Sequence, residues 1–380
     1  MSNPGQAALA LEDGSVYIGE AFGAETDVAA EVVFNTGITG YQEVVTDPSY
    51  RGQMVVMTHP QIGNYGIAHS GDESIRPWVS ALIVRELADF PNHWESHARL
   101  EDYLQQWNVP GLQGIDTRSL VRNLRDSGTQ RGVLRQSGLA GFSAADLDEL
   151  RRAATQAPSV SQLELVSGVS HVLPVQGTGD IAVVDCGAKW NILRSLERRG
   201  VSPRVYSWDA TADEILATKP RGILISNGPG DPAKLPTVVA ELQKLVQSGT
   251  PLMGICLGHQ LLGLAAGATT SRLPYGHHGG NHPVRELRSG SVTITTQNHE
   301  FQVVADTIPS SSGFDVSHVN LNDGSVEGLR HRELPVFSVQ YHPEGCPGPQ
   351  DSQSLFDDFL RLAGADRRPP TPDPRARSAP

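Results

Sequence analysis

The 380-residue chain has only three cysteines, Cys186, Cys256 and Cys346, far apart and odd in number. No disulfide framework and no zinc-binding spacing can be built from them, which suits a reducing cytoplasm. Aromatic residues make up 6% of the chain, and no uncharged apolar run approaches the length of a membrane span. The opening Met-Ser-Asn-Pro-Gly-Gln-Ala lacks the basic and apolar regions of a secretory signal. Positive charge is in deficit: 30 Lys and Arg stand against 42 Asp and Glu, a formal net charge of -12. That balance argues against nonspecific nucleic-acid binding and favours solubility. What remains is an ordinary globular composition, at a length that points to two domains.

Residues 8–22 read as a β-hairpin around Asp13-Gly14, a two-residue turn signal. Strands are expected at 32–35, 53–58 and 79–84, with a Gly-rich bend and a turn at Asp47-Pro48 after the first. Trp94, Leu100, Leu104 and Trp107 fall at helical intervals and predict an amphipathic helix over 93–108. A clearer helix spans 115–128, with Asp116 as cap, Leu120, Val121 and Leu124 on one face, and Gly128 at its end. Residues 1–154 therefore read as a mixed α+β domain with no catalytic signature of its own. A capped helix starting at Ser143 dissolves into a linker over 155–177, rich in Ser, Gln, Val and Gly.

From 178 to 364 the pattern changes. Apolar strands at 180–185, 202–208, 222–226 and 252–255 alternate with helices at 188–199, 211–218 and 236–247. Such a succession predicts an α/β fold, a doubly wound and mostly parallel sheet with helices on both faces. Strands at 292–296, 314–319 and 336–340 are mostly separated by turns and are expected to form an antiparallel extension. A last helix covers about 352–362, and the basic, Pro-rich residues 365–380 are expected to be disordered.

One stretch organises this second region. The apolar run Leu252–Ile255 leads straight into Cys256, and Leu257, Leu261, Leu262, Leu264 and Ala265 follow at helical spacing. Gly254 and Gly258 lie two before and two after the cysteine, the pattern of a nucleophile elbow. At such a turn the helix dipole favours the thiolate. A cysteine nucleophile needs a base, and the base needs an orienting group. His342 and Glu344, two apart beyond a strand, can point the same way and supply both. The rigid loop Asn227-Gly-Pro-Gly-Asp-Pro232 also follows a strand and can aim a backbone N–H at an oxyanion, with the N–H of Leu257 as a second donor. The missing Lys-Ser/Thr argues against a phosphate loop there. His277, His278 and His282 lack partnering cysteines or carboxylates at ligand spacing, so no metal site is assigned.

The segments Gly254-Ile-Cys-Leu-Gly-His-Gln260, Asn227-Gly-Pro-Gly-Asp-Pro232 and His342-Pro-Glu344 resemble the class I, triad-type glutamine amidotransferases. That resemblance implies hydrolysis of glutamine through a Cys256 thioester, with His342 as base and Glu344 orienting it. Further segments, 34–50, 114–120 and Gly276-His-His-Gly-Gly-Asn-His-Pro-Val284, look like the carbamoyl-phosphate synthetase small subunit. The resemblance then covers almost all of the chain except its tail. It implies a glutamine site at Ser49, Gly228, Gly230, Leu257, Gln260, Asn298, Glu300 and Phe301, with a loop 297–301 supplying backbone groups. It implies a large-subunit partner in a heterodimer that binds ATP, bicarbonate and metal ion, no cofactor on this chain, and a role in pyrimidine or arginine biosynthesis. The family usually has glycine where this chain has Glu300, whose carboxylate would lie near the carboxylate of the substrate. Two other readings stay open: a free-standing hydrolase of γ-glutamyl compounds, and a docking subunit whose pocket Glu300 spoils.

Overall fold

The computed structural model describes residues 5–138, 140–170 and 179–365. The expected tail lies outside them except for its first residue, as does the second part of the expected linker. In the first region β1 (Gln6–Leu11), β2 (Val16–Gly23), β3 (Val28–Asn35) and β4 (Gln53–Met57) are followed by β5 (Gln61–Ile62), β6 (Ala81–Ile83), β7 (Glu86–Leu87), β8 (Pro110–Gln113) and β9 (Gln130–Gly138). Seven of these close into a barrel in the order β1-β2-β8-β6-β4-β3-β9, while β5 and β7 pair apart. Helices α1 (Tyr41–Thr46), α2 (Leu100–Gln106), α3 (Thr117–Ser127) and α4 (Ala144–Ala154) complete the mixed α+β region.

The barrel wall is buried on both sides. Successive β4 side chains point to opposite faces. Met54 and Val56 pack with Leu120 and Leu124 of α3, and Val55 and Met57 with Val44 of α1 and Leu104 of α2. The predicted helix over 115–128 forms as α3, its Asp116 carboxylate accepting from Ser119 N at 3.0 Å. Two details differ from expectation. The first hairpin turns through three residues, Glu12–Gly14: Leu11 N donates to Ser15 O and Gly14 N to Leu11 O, with Gly14 at φ 90°. The helix expected over 93–108 spans only Leu100–Gln106. Trp94, whose spacing suggested the earlier start, is 86% exposed and packs no core.

In the second region β10 (Ile181–Asp185), α5 (Trp190–Glu197), β11 (Pro203–Ser207), α6 (Ala212–Ala217), β12 (Gly222–Ile225), α7 (Pro236–Gln247), β13 (Leu252–Ile255) and α8 (Leu257–Ala265) form the expected alternation. After them come β14 (Thr270–Glu286), β15 (Val292–Val303), β16 (Phe314–Asn320), β17 (Val326–His331), β18 (Val336–Val339) and α9 (Ser354–Leu362). One nine-stranded sheet runs β11-β10-β12-β13-β18-β17-β16-β14-β15. The doubly wound α/β class holds. The strand at 336–340 does not belong to an antiparallel extension as expected: β18 pairs parallel with β13, Leu252 opposite Val336, and is the fifth parallel strand. All four of its side chains are buried, as a central parallel strand requires. The antiparallel part is larger than expected, because the Gly- and His-rich β14 joins β15 in a long hairpin with register shifts. Among the described residues no helix is long and apolar enough to cross a membrane.

Candidate active site

Three neighbouring strands, β12, β13 and β18, bring their carboxyl ends to one edge, where ligands of such sheets bind. Cys256 ends β13 and caps α8 at φ 53° and ψ -104°, a costly conformation for a residue with a side chain. Its neighbours hold it there. A Cβ at residue 254 would lie 2.7 Å from Gly258 O, and one at residue 258 would lie 2.4 Å from Ile225 O. Only glycine fits either place, which explains the spacing seen in the sequence. Cys256 N donates to Val339 O of β18 at 2.9 Å, and the Cys256 thiol lies 3.5 Å from Asn298 O as donor.

Beyond β18, His342 N donates to Thr296 O at 2.9 Å, and its ring Nδ1 lies 2.7 Å from Glu344 Oε1. Nε2 has no hydrogen-bond partner among the described residues. Burial opposes a charge on this ring, but the Glu344 carboxylate and then the Cys256 thiol outweigh it and raise its pKa. Burial likewise opposes the Glu344 charge, and Lys189 and then His342 outweigh that, holding its carboxyl low. Lys189, 2% exposed, places Nζ 3.1 Å from Glu344 Oε1 and donates to Gly345 O at 2.8 Å. Asn191 Nδ2 donates to Glu344 O at 2.6 Å.

A pocket opens at this edge. Of the sequence-predicted residues, Ser49, Gly228, Gly230, Cys256, Gln260, Asn298, Glu300 and Phe301 line it. Leu257, His342 and Glu344 do not line it but flank it, next to Cys256 in sequence or behind it. Ser49 comes from the barrel region: its Oγ accepts from Asn227 Nδ2 at 3.0 Å, tying the two regions together beside the cavity. Gln260 Nε2 donates to Phe301 O at 2.8 Å and to Gln340 Oε1 at 3.1 Å, which leaves the amide carbonyl for a ligand. Residues 297–301, expected as a loop, lie inside strand β15.

Sequence reasoning missed several residues. Arg51, Gln53, Val160, His278 and His299 also line the cavity. Lys189 carries no signal in the sequence, and only its tertiary burial marks it. Asp47, read as a turn residue, accepts from Asn298 Nδ2 at 2.8 Å and from Ser49 N at 2.9 Å. Glu300 is not a loose charge. Its Oε1 lies 2.8 Å from His278 Nε2, and its Oε2 lies 3.1 Å from Arg272 and accepts from Thr129 Oγ1 at 3.1 Å.

The three histidines weighed for a metal do not converge. Instead His277, His299 and Glu327 bring potential ligand atoms within 4.8 Å of one another. Hydrogen bonds occupy most of this cluster, but the buried His277 Nδ1 has no hydrogen-bond partner among the described residues and lies 3.6 Å from Glu327 Oε1. His299 donates from Nδ1 to Phe301 O at 2.8 Å with Nε2 3.0 Å from Gln297 Oε1, and Glu327 accepts from Asn320 at 2.8 Å and Gln297 at 2.9 Å. His277 Nε2 is bound to Asp323 at 2.8 Å.

Comparison with known proteins follows the same division. The family model for class-I glutamine amidotransferases matches residues 182–362, and that for the carbamoyl-phosphate synthase small chain, CPSase domain, matches residues 9–134. The chain is 49% identical over 359 residues to the carbamoyl phosphate synthase small chain of Symbiobacterium thermophilum, covering 93% of this chain and 97% of that one. It is 48% identical over 363 residues to that of Chlorobaculum tepidum, covering 94% and 97%. To the pyrimidine-specific small chain of Bacillus subtilis it is 46% identical over 358 residues, covering 93% and 95%. Similarity of this extent means that the chain belongs to the carbamoyl phosphate synthase small-chain family.

Proposed function

We propose that this chain hydrolyses L-glutamine and passes ammonia to a large synthetase subunit that makes carbamoyl phosphate. The observation that carries this reading is the convergence of Cys256, the His342–Glu344 pair and the Gly228–Gly230 loop at three adjacent strand ends. The Cys256 thiolate attacks the side-chain amide carbon of glutamine, forming a C–S bond. The oxygen becomes an oxyanion, received by the N–H of Leu257 and by the loop after β12. His342, having taken the thiol proton, returns it to the departing nitrogen, and the C–N bond breaks to release ammonia. Water then adds to the thioester with His342 as base, giving glutamate and the free thiol.

Glu344 holds the His342 ring and stabilises its charged form, and Lys189 keeps Glu344 ionised in a buried place. Ser49, Gln260, Asn298 and Phe301 are suited to the amino-acid end of the substrate. Glu300 does not spoil the pocket, since three donors already engage its carboxylate. ATP, bicarbonate and metal ion belong to the partner, because no nucleotide-binding motif occurs here. In the complex, Cys256→Ser is expected to abolish glutamine-dependent carbamoyl phosphate synthesis, while ammonia-dependent synthesis survives. Equal loss of both would refute the reading.

A further inference from the structure

Glu300 stands at the end of a continuous chain of polar contacts. His278 is buried, and both of its ring nitrogens face acceptors: Nδ1 lies 3.0 Å from Asn298 Oδ1, and Nε2 lies 2.8 Å from Glu300 Oε1. The amide orientation of Asn298 is set independently. Its other end meets Asp47 Oδ2 at 2.8 Å, and a carboxylate can only accept, so that end is the nitrogen. Tyr50 stacks on it, ring centroids 5.9 Å apart.

The chain continues past the ring in both directions. Toward the nucleophile, Asn298 is clamped between His278 and Asp47, and its backbone carbonyl accepts from the Cys256 thiol. Toward the barrel, Glu300 pairs with Arg272, which also pairs with the buried Glu31 of β3. Glu31 in turn accepts from Ser159 Oγ at 2.6 Å and Val160 N at 3.1 Å, in the segment that walls the cavity. Burial would push the Glu300 carboxyl up, but His278 and then Arg272 hold it down, so the carboxylate form persists.

We propose that Glu300 is a positioning residue: its carboxylate holds the His278 ring, and that ring fixes Asn298, whose carbonyl holds the Cys256 thiol. This explains how a buried carboxylate is tolerated at the edge of an amino-acid pocket. Its oxygens are engaged by the His278 ring, a guanidinium and a hydroxyl, and the ring delivers the effect to Cys256.

The inference rests on the glutaminase reading above, and the test separates the two. Wild type, Glu300→Gln, His278→Gln and the double variant are assayed as complexes with the large subunit. Glu300→Gln keeps the shape and removes the charge; loss of a charge-assisted hydrogen bond predicts a fall of about tenfold in kcat/KM for glutamine, with ammonia-dependent synthesis unchanged. Because Glu300 acts through His278, the double variant is expected to be no worse than His278→Gln alone. Additive losses, or an unaffected Glu300→Gln, would overturn the proposal. In the wild-type subunit, NMR of isotope-labelled histidine is expected to show His278 Nε2 hydrogen-bonded to the Glu300 carboxylate. Absence of that hydrogen bond would overturn the proposal whether or not the variants fold. A wild-type complex without glutamine-dependent synthesis would instead overturn the glutaminase reading.

Discussion

The carboxyl ends of β10 and β13 offer a direct comparison, because each is followed at once by a buried cysteine in the same parallel sheet. Cys186 is 0% exposed and Cys256 2%, so burial does not distinguish them. Their backbones do. Cys256 is the cap of α8 at positive φ, with its thiol on Asn298 O and the His342 ring behind it. Cys186 lies four residues before α5, its N–H on Ser226 Oγ at 2.9 Å, and burial with the Asp185 charge pushes its thiol up. On the proposed reading, a strand end is therefore not enough to make a nucleophile. The strained turn and the imidazole make the difference. What the β10 end contributes is three residues further on, in Lys189 beneath Glu344.

The largest effect should come from breaking that contribution. Lys189→Met leaves the Glu344 carboxylate buried beside His342 without its cation, and removing one partner of a buried pair costs about 3–5 kcal/mol. Chemical denaturation is expected to show that loss, and glutamine hydrolysis to fall while ammonia-dependent synthesis persists. A wild-type stability would mean that the two strand ends work separately.

A second His–carboxylate pair sharpens the contrast from outside the cavity. Asp323 and Glu327 outweigh the burial of His277 and lift its pKa from 6.5 to about 9. A group raised on folding stabilises fully below its unfolded value, and this contribution is lost as pH rises through the folded value. His277→Gln is therefore expected to cost on the order of 2–3 kcal/mol near pH 6 and much less near pH 10. Urea midpoints across that range measure it; a constant difference would mean that the ring is not charged in the fold.

The smallest effect is expected at the other cysteine. Cys186→Ala removes one sulfur from a packed core, costing about 1 kcal/mol, with glutamine kinetics within about twofold of wild type. Alkylation followed by mass spectrometry should modify Cys256 well before Cys186. Preferential labelling of Cys186 would reverse the comparison.

The sequence made some of this legible and hid the rest for physical reasons. The elbow could be read because its constraints are local: Gly254 and Gly258 answer to atoms within a few residues or on the adjoining strand. The α3 helix was legible for the same reason, with cap, apolar face and stop all inside one segment. The direction of β18 was not, because a short apolar run has the same composition whichever neighbour it pairs with. Strand β14 was hidden by its Gly, His and Pro content, and only its pairing with β15 makes it a strand. At the site, Glu300 stood out as a departure, yet its meaning depends on Arg272 and His278, which lie 28 and 22 residues away along the chain. Lys189 has no sequence mark at all, since its value lies in being buried.

The hydrogen bond from Asn227 to Ser49, and that from Asn298 to Asp47, each cross from the sheet to the barrel at the wall of the cavity. A cavity with walls from both regions turns its occupant into a brace. Whatever fills it adds its binding free energy to the adhesion between the two halves, and whatever loosens their seam weakens binding by the same amount. Grip on the small molecule and grip between the domains are one quantity measured at two places.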